Sequence, residues 1–513
     1  MAGAVEAGHV VEISGEPLTI EQLDARYGQR VSVSIDERIW ARVDAGRRAI
    51  ERILASGSVV YGVNTGFGAL KNKRIPTEQL DALQTNLILS HAVGVGPPMP
   101  DELVRWMMLF KIAALAHGYS GVRRAPIECL TEFLRHDLLP VIPTQGSLGA
   151  SGDLAPLAHM VLPMIGRGEL RAGGRVLRAS DALSAHGLRS ISLAPKEGLA
   201  LINGTQFMSA YGAALVIRAE RLCRHADIIA TMSLDGLQGS VAPFDQDLNR
   251  LRPHHGAVAV ARNVRKLMAG SQILESHADC EKVQDPYSLR CIAQVHGAVR
   301  DAVEHAHGVF ETEINSVTDN PIVFDEHKVI SGGLFHGQPL ALVLDYLAMA
   351  LTELAGISER RTYLLLSGHD GLPELLMKDT GINSGFMLPQ YTAAALVSEC
   401  KGLSHPASVD SIPTSLGQED HVSMGATAAT KAWRVIENAE TVLAIEMMCA
   451  AQALDYRAPL APGVGPRIAH RVVRAHLMHA EQDRLFGEDM QTALALLRSQ
   501  KVSQVVELEV GEL

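Results

Sequence analysis

The chain has 513 residues, 47% of them hydrophobic, which is enough to bury a large core and too apolar for disorder to dominate. With 46 Lys+Arg against 57 Asp+Glu the formal net charge is −11, so bulk electrostatics favour neither nucleic acid nor an acidic membrane surface, and a small, nearly neutral ligand fits better. Six widely spaced cysteines without a CxxC pair argue against a disulfide framework and a thiolate zinc site, and point to a reducing, cytoplasmic compartment.

The N-terminal stretch MAGAVEAGHVVEISGEP lacks the basic segment followed by an apolar one that export would need. Strand-like alternation is short and early, as at Val31–Ile35. Up to about residue 200 the chain is rich in Gly and Pro between short periodic runs. Beyond it, apolar residues recur three and four apart over long stretches. A division follows into a smaller mixed region, 1–200, and a long-helix region, 201–513. Asp285-Pro286 offers an N-cap and a preorganised first-turn residue, so a helix of about 25 residues is expected to run on through Ile292, Val295, Val299, Val303, Ala306 and Phe310. Further long helices are expected over roughly 339–361, 388–404 and 426–453. The most apolar long stretch, LALVLDYLAMALTELAGI, is interrupted by Asp345 and Glu353, which argues against membrane insertion. Long helices in succession predict a mainly α bundle rather than a parallel α/β architecture.

Among chemistry-bearing patterns, GxxxxGK[ST], HExxH, GxSxG and a GxGxxG between strand and helix are all missing. His254-His255 and His305-Ala-His307 lack supporting ligand spacing and read as surface or helix histidines, so no metal is assigned. GSLGASGDLAPLAHM is different. Glycines at 146, 149 and 152 surround Ser151, and the segment runs into an apolar helix for which Asp153 is a natural cap and Pro156 an early-turn residue. It admits three readings: a tight turn; a serine nucleophile, for which no base is identifiable nearby; or cyclisation, in which the unhindered nitrogen of Gly152 attacks the Ala150 carbonyl and Ser151 loses its hydroxyl as water.

This segment resembles the one that forms the 4-methylidene-imidazol-5-one (MIO) group of the histidine and aromatic amino-acid ammonia-lyases. The resemblance extends in order through YGVNTGFG (61–68), NLILSHAVGVG (86–96), LINGTQ (201–206), KVQDPYSLRC (282–291), TDNP (318–321), GGLFHGQP (332–339), NSGFM (383–387) and SVDSIPTSLGQEDHVSMG (408–425). It implies a mainly α long-helix bundle of the ammonia-lyase / fumarase-aspartase type. It also implies an MIO built from Ala150, Ser151 and Gly152 with no dissociable cofactor, a small amino-acid substrate, and a homotetramer with shared active sites.

By the same resemblance Tyr61, at the head of a glycine-rich lid loop, takes the substrate β-proton, a role that requires a pKa depressed from ~10. Arg290 forks onto the substrate carboxylate beside Tyr287, three residues away on one helix face, while Gln284 and Asn203 orient the amine and the prosthetic group. Phe335 lines the pocket, and Glu399, a carboxylate in the apolar run TAAALVSEC, faces the substrate ring or amine. Ser90-His91, VQDPYSLRC and QEDHVSM resemble the histidine branch, with His91 near the substrate imidazole. Elimination of ammonia from L-histidine to trans-urocanate is therefore expected. Gly333-Leu334-Phe335 and Leu416-Gly417 depart from the usual pattern, and the alternatives are a tyrosine or phenylalanine lyase, an aminomutase, or a catalytically inactive scaffold.

Overall fold

The computed structural model describes residues 9–279 and 282–513. Helices carry the chain: Asp101–Ala116 (α1), Leu154–Val161 (α2), Glu197–Ile202 (α3), Gln206–Gly236 (α4), Ile292–Ile314 (α5), Gln338–Leu366 (α6), Met387–Leu403 (α7) and Gly425–Asp455 (α8) are those that matter for the site or the core. The last three follow the periodicity of the sequence closely. The helix expected to start after Asp285-Pro286 is instead broken. A single turn, Tyr287–Arg290, closes on itself, Cys291 leaves the helical region at φ −105° and ψ 16°, and α5 begins at Ile292. Asp285 does not cap that turn, because its carboxylate accepts the Ser240 N–H at 2.6 Å.

Helix α4 has no polar face at its N-terminal half. Phe207, Met208, Tyr211, Leu215, Val216 and Ile217 are all buried, as expected of a helix surrounded by protein. Helix α6 is long and apolar enough to cross a membrane, yet 67% of its most apolar window is buried inside the protein, and its Asp345 accepts the Ser408 N–H at 2.7 Å. Strands among the described residues are short. His9–Ile13 pairs parallel with Val31–Ile35, whose Val31 and Val33 are buried in alternation with Ser32 and Ser34.

Two compact units divide the chain: Met1–Ile217, Ala306–Asp345 and Pro406–Thr430 form one, and Arg218–His305, Tyr346–His405 and Lys431–Leu513 the other. In the second, buried charge is matched. Asp227 accepts from His296 Nδ1 at 2.9 Å, Arg300 at 2.7 Å and Asn263 at 3.0 Å, while Arg361 donates twice to Glu446, at 2.5 and 2.9 Å. Such pairs are costly to bury but costlier to break.

In the first unit α4 and α5 meet where Gly212 receives the buried ring of Phe310. A Cβ at Gly212 would lie 1.9 Å from that ring. Gly212→Ala is therefore expected to destabilise the protein by about 1–3 kcal/mol through overpacking, despite the better helix propensity of Ala. Urea unfolding checks this, and an unchanged midpoint would refute the contact.

Candidate active site

The site begins with a backbone contact. Gly152 has φ +74°, a conformation that disfavours side chains, and a Cβ on it would lie 2.1 Å from the Gly204 carbonyl oxygen. Asp153 N–H donates to that same oxygen at 2.7 Å, so the triplet Ala150-Ser151-Gly152 is seated on the turn between α3 and α4. On the other side Met424 N–H donates to Leu148 O at 2.9 Å and Ser423 Oγ to Gly149 O at 3.3 Å.

Helix α3 ends at Asn203, and a fully buried lysine holds that end. Lys111 Nζ, from α1, donates to Asn203 O at 2.8 Å and Ala200 O at 3.3 Å. Burial drives this ammonium down to about 7, against the pull of Asp319 and Asp153. With its backbone fixed, Asn203 donates its side-chain amide to Ser151 O at 2.8 Å. Asp153 does not cap its own helix through its side chain. Its carboxylate turns to the start of α4 and accepts Met208 N–H at 3.0 Å, satisfying one of the orphan donors there. Burial pushes this carboxyl up to about 7, opposed by the Met208 and Phe207 N–H groups and by Lys111.

Ser151 faces a cavity of about 1160 Å³ whose lining includes Tyr61, His91, Ala150, Asn203, Phe335 and Glu419. Its hydroxyl donates to Glu419 Oε1 at 2.8 Å, and Thr414 Oγ1 donates to the other carboxylate oxygen at 2.9 Å. Glu419 is thus the carboxylate at Ser151 that sequence reasoning missed. It stands within QEDHVSM, but nothing local indicates that it meets a serine 268 residues away.

Tyr61 receives an N–H from Gly68 at 3.3 Å. Its phenol is raised above the ordinary value of 10.0, not depressed as its expected role requires, because burial disfavours the phenolate and Glu419 adds repulsion, outweighing the Gly68 donor. Burial likewise lowers His91, against the Leu87 carbonyl and Glu419, which favours the neutral imidazole; its Nδ1 lies 3.0 Å from Ser90 Oγ.

Four expected residues belong to the second unit and are not among those lining this cavity. Gln284 is exposed, Tyr287 is 70% exposed, and the guanidinium of Arg290 lies 4.5 Å from the Tyr287 ring centre, with its buried Nε lacking a hydrogen-bond partner. Glu399 is held in an ion pair with Arg434 at 2.6 Å and accepts from Asn438 at 3.1 Å. The histidines considered for metal stand in two exposed or half-buried groups of three: His307 Nε2 lies 2.9 Å from Glu311 and 3.6 Å from Glu21, and His255 Nδ1 lies 3.5 Å from Glu304, with Asp301 beside them.

Ser151 thus sits between the Asn203 amide and the Glu419 carboxylate, on a glycine-locked turn that opens into a cavity shared with Tyr61. The chain belongs to the aromatic amino acid lyase family, whose family model matches residues 18–475. It is 48% identical to the histidine ammonia-lyase of Natranaerobius thermophilus over 98% of this chain and 100% of that protein. Among solved structures, histidine ammonia-lyase from Trypanosoma cruzi superposes with a TM-score of 0.90 at 41% identity, covering 98% of this chain and 95% of that one. Tyrosine aminomutase from Streptomyces globisporus superposes with a TM-score of 0.92 at 34% identity, covering 98% and 99%.

The residues present fit the family's imidazolone. Position 152 admits no Cβ, and the Ser151 hydroxyl, which must gain a proton to leave as water, lies 2.8 Å from the Glu419 carboxyl, a group able to shuttle that proton. The Ser151 carbonyl, which cyclisation through Ala150 retains, already holds the Asn203 amide.

Asp153 also makes stability depend on pH. Its folded value of about 7 exceeds the unfolded ~3.9, so between these values the folded state keeps a proton that the unfolded state has released, and stability falls as pH rises from about 4 to about 7. Asp153→Asn is expected to flatten that part of the profile. Denaturant midpoints at pH 4.5 and 7 measure it, and equal slopes in both proteins would refute the assignment.

Proposed function

We infer that the chain eliminates ammonia from L-histidine to give trans-urocanate, using an MIO formed from Ala150, Ser151 and Gly152. The observation that carries this reading is the Ser151 hydroxyl directed into a cavity shared with Tyr61, His91 and Glu419. Formation of the group closes a bond from Gly152 N to the Ala150 carbonyl carbon with loss of its oxygen as water, and Ser151 then loses its hydroxyl with its α-proton as a second water. Once formed, the group supplies an electrophilic carbon that makes the substrate amine a competent leaving group.

The chain's own residues do the rest. Asn203 would keep its amide on the retained carbonyl, stabilising negative charge there. Neutral His91 offers the substrate imidazole a hydrogen-bond partner without adding positive charge. Tyr61 removes the β-proton. In the isolated chain its phenol holds that proton too tightly at neutral pH, so substrate and neighbouring cations must favour the phenolate. Arg290 is the group for the substrate carboxylate, with Tyr287 and Gln284 beside it, contributed across a subunit boundary in a homotetramer. The exposure of Tyr287 and Gln284 and the unpartnered Nε of Arg290 support that arrangement. Cys129, Cys223, Cys291, Cys400 and Cys449 are free thiols, which supports a reducing, cytoplasmic setting.

Intact mass and product analysis test this. The purified chain should weigh two waters less than its sequence and convert histidine to urocanate. Ser151→Ala should restore the full mass and abolish turnover. Cinnamate-type or β-amino products without urocanate would instead support an aminomutase or a lyase for another ring, a reading that the Leu334 departure and the tyrosine aminomutase likeness keep open.

A further inference from the structure

The loop that begins at Tyr61 is a closed structure. Thr65 and Arg74 pair across it, Gly66 N–H donates to Lys73 O at 2.9 Å, and Ile75 N–H donates to Asn64 O at 3.0 Å. Its tip is the short turn Gly68–Leu70, and the tip's first N–H, that of Gly68, points at the Tyr61 hydroxyl. The orientation of the group that takes the β-proton therefore depends on where the tip sits.

Facing the tip is a second turn, Thr414–Glu419, closed by Thr414 N–H to Glu419 O at 2.9 Å and Glu419 N–H to Thr414 O at 3.3 Å. Ser415 and Leu416 have φ +52° and +55°, two consecutive left-handed residues, and Leu416 is 95% exposed. Non-glycine residues persist in that region only where their surroundings over-determine them. Besides the turn's own closing hydrogen bonds, the neighbour that Ser415 and Gln418 meet is the lid tip. Ser415 Oγ accepts Ala69 N–H at 3.3 Å, and Lys71 Nζ donates to Gln418 Oε1. Gly68, at φ +52°, approaches so closely that a Cβ would lie 2.8 Å from Ser415 Oγ. The last residue of this turn is Glu419, the carboxylate on Ser151.

We propose that Ser415 and Gln418 are positioning residues that latch the Tyr61 loop shut. Because the latch and Glu419 lie on one turn, closing the lid sets Tyr61 and Glu419 in register on the two sides of the same substrate. Ser415 and Gln418 also line the cavity, but their side-chain hydrogen bonds are with the lid tip, so their action is through Tyr61 and Glu419. Closure of this kind excludes water and completes the set of catalytic groups. The inference rests on the lyase reading above, in which Tyr61 takes a proton.

The test uses the full-length enzyme with four variants, Ser415→Ala, Gln418→Ala, Lys71→Met and Gln418→Glu, together with the Lys71→Met/Gln418→Ala double. Three readouts are taken: kcat and KM for histidine, intact mass, and chymotryptic nicking after Phe67 or Leu70. Ser415→Ala and Gln418→Ala are each expected to lower kcat by roughly 5- to 30-fold and to speed nicking by a similar factor, with the mass still two waters short. Lys71→Met should match Gln418→Ala, and the double should be no worse than either, because both remove one contact. Gln418→Glu keeps an acceptor for Lys71 and should retain near wild-type kcat and nicking.

Wild-type kcat and nicking in Ser415→Ala and Gln418→Ala would overturn the latch. So would a fall in kcat without faster nicking, additive losses in the double, or a full-mass chain in these variants, which would place Ser415 and Gln418 in formation of the prosthetic group instead. If the wild-type chain has its full mass and turns over no amino acid, the lyase reading falls, and the nicking comparison alone decides whether the latch exists.

Discussion

The approach of Gly152 to the Gly204 carbonyl is the contact on which the site depends. It is a meeting of two backbones with no room for a methyl group between them, and two helices begin within two residues of it, α2 at Leu154 and α4 at Gln206. Moving either backbone would separate Ser151 from Asn203, whose amide rests on its carbonyl. The flanks of the triplet are held on one side by the α3–α4 turn and on the other by residues 423–424, as the proposed condensation would require.

Beneath that contact lies an unusual density of buried charge. Lys111 caps the end of α3, Asp153 reaches the first turn of α4, Lys196 pairs with Asp319 at 2.6 Å, and Thr205 donates to Glu313. Burying these groups costs more than an apolar core of the same volume, but each one satisfies backbone or side-chain partners that an apolar residue would leave unpaired. Among them, Lys111 holds the Asn203 carbonyl directly. Burial also raises the Tyr61 phenol, so a seat suited to the proposed electrophile would work against Tyr61 as the proposed base.

Two carboxylates in unlike local contexts meet unlike partners. Glu399, singled out because a charge in an apolar helix is rare, is neutralised by Arg434 on α8. Glu419, flanked by polar neighbours that make it look like ordinary surface, is the one that meets Ser151. Rarity of a charge in its local context reports the cost of burying it; it does not report what the charge faces.

Much of the fold was legible locally. Val31–Ile35 alternates, helices α6, α7 and α8 carry apolar residues at helical spacing, and glycines at fixed positions around Ser151 mark a turn with no room for side chains. These are properties of a few neighbouring residues, and the sequence by itself determined them. Helix α4 escaped notice because burial on every side removes the polar face that periodicity detects. The break at Cys291, the turning of Asp153 and Asp285 away from their own helices, the meeting of Glu419 with Ser151 and the upward shift of Tyr61 were decided only by the tertiary structure. The side-chain meetings join segments up to 268 residues apart, and the Tyr61 shift comes from desolvation, which belongs to the surroundings of a group and not to its place in the chain.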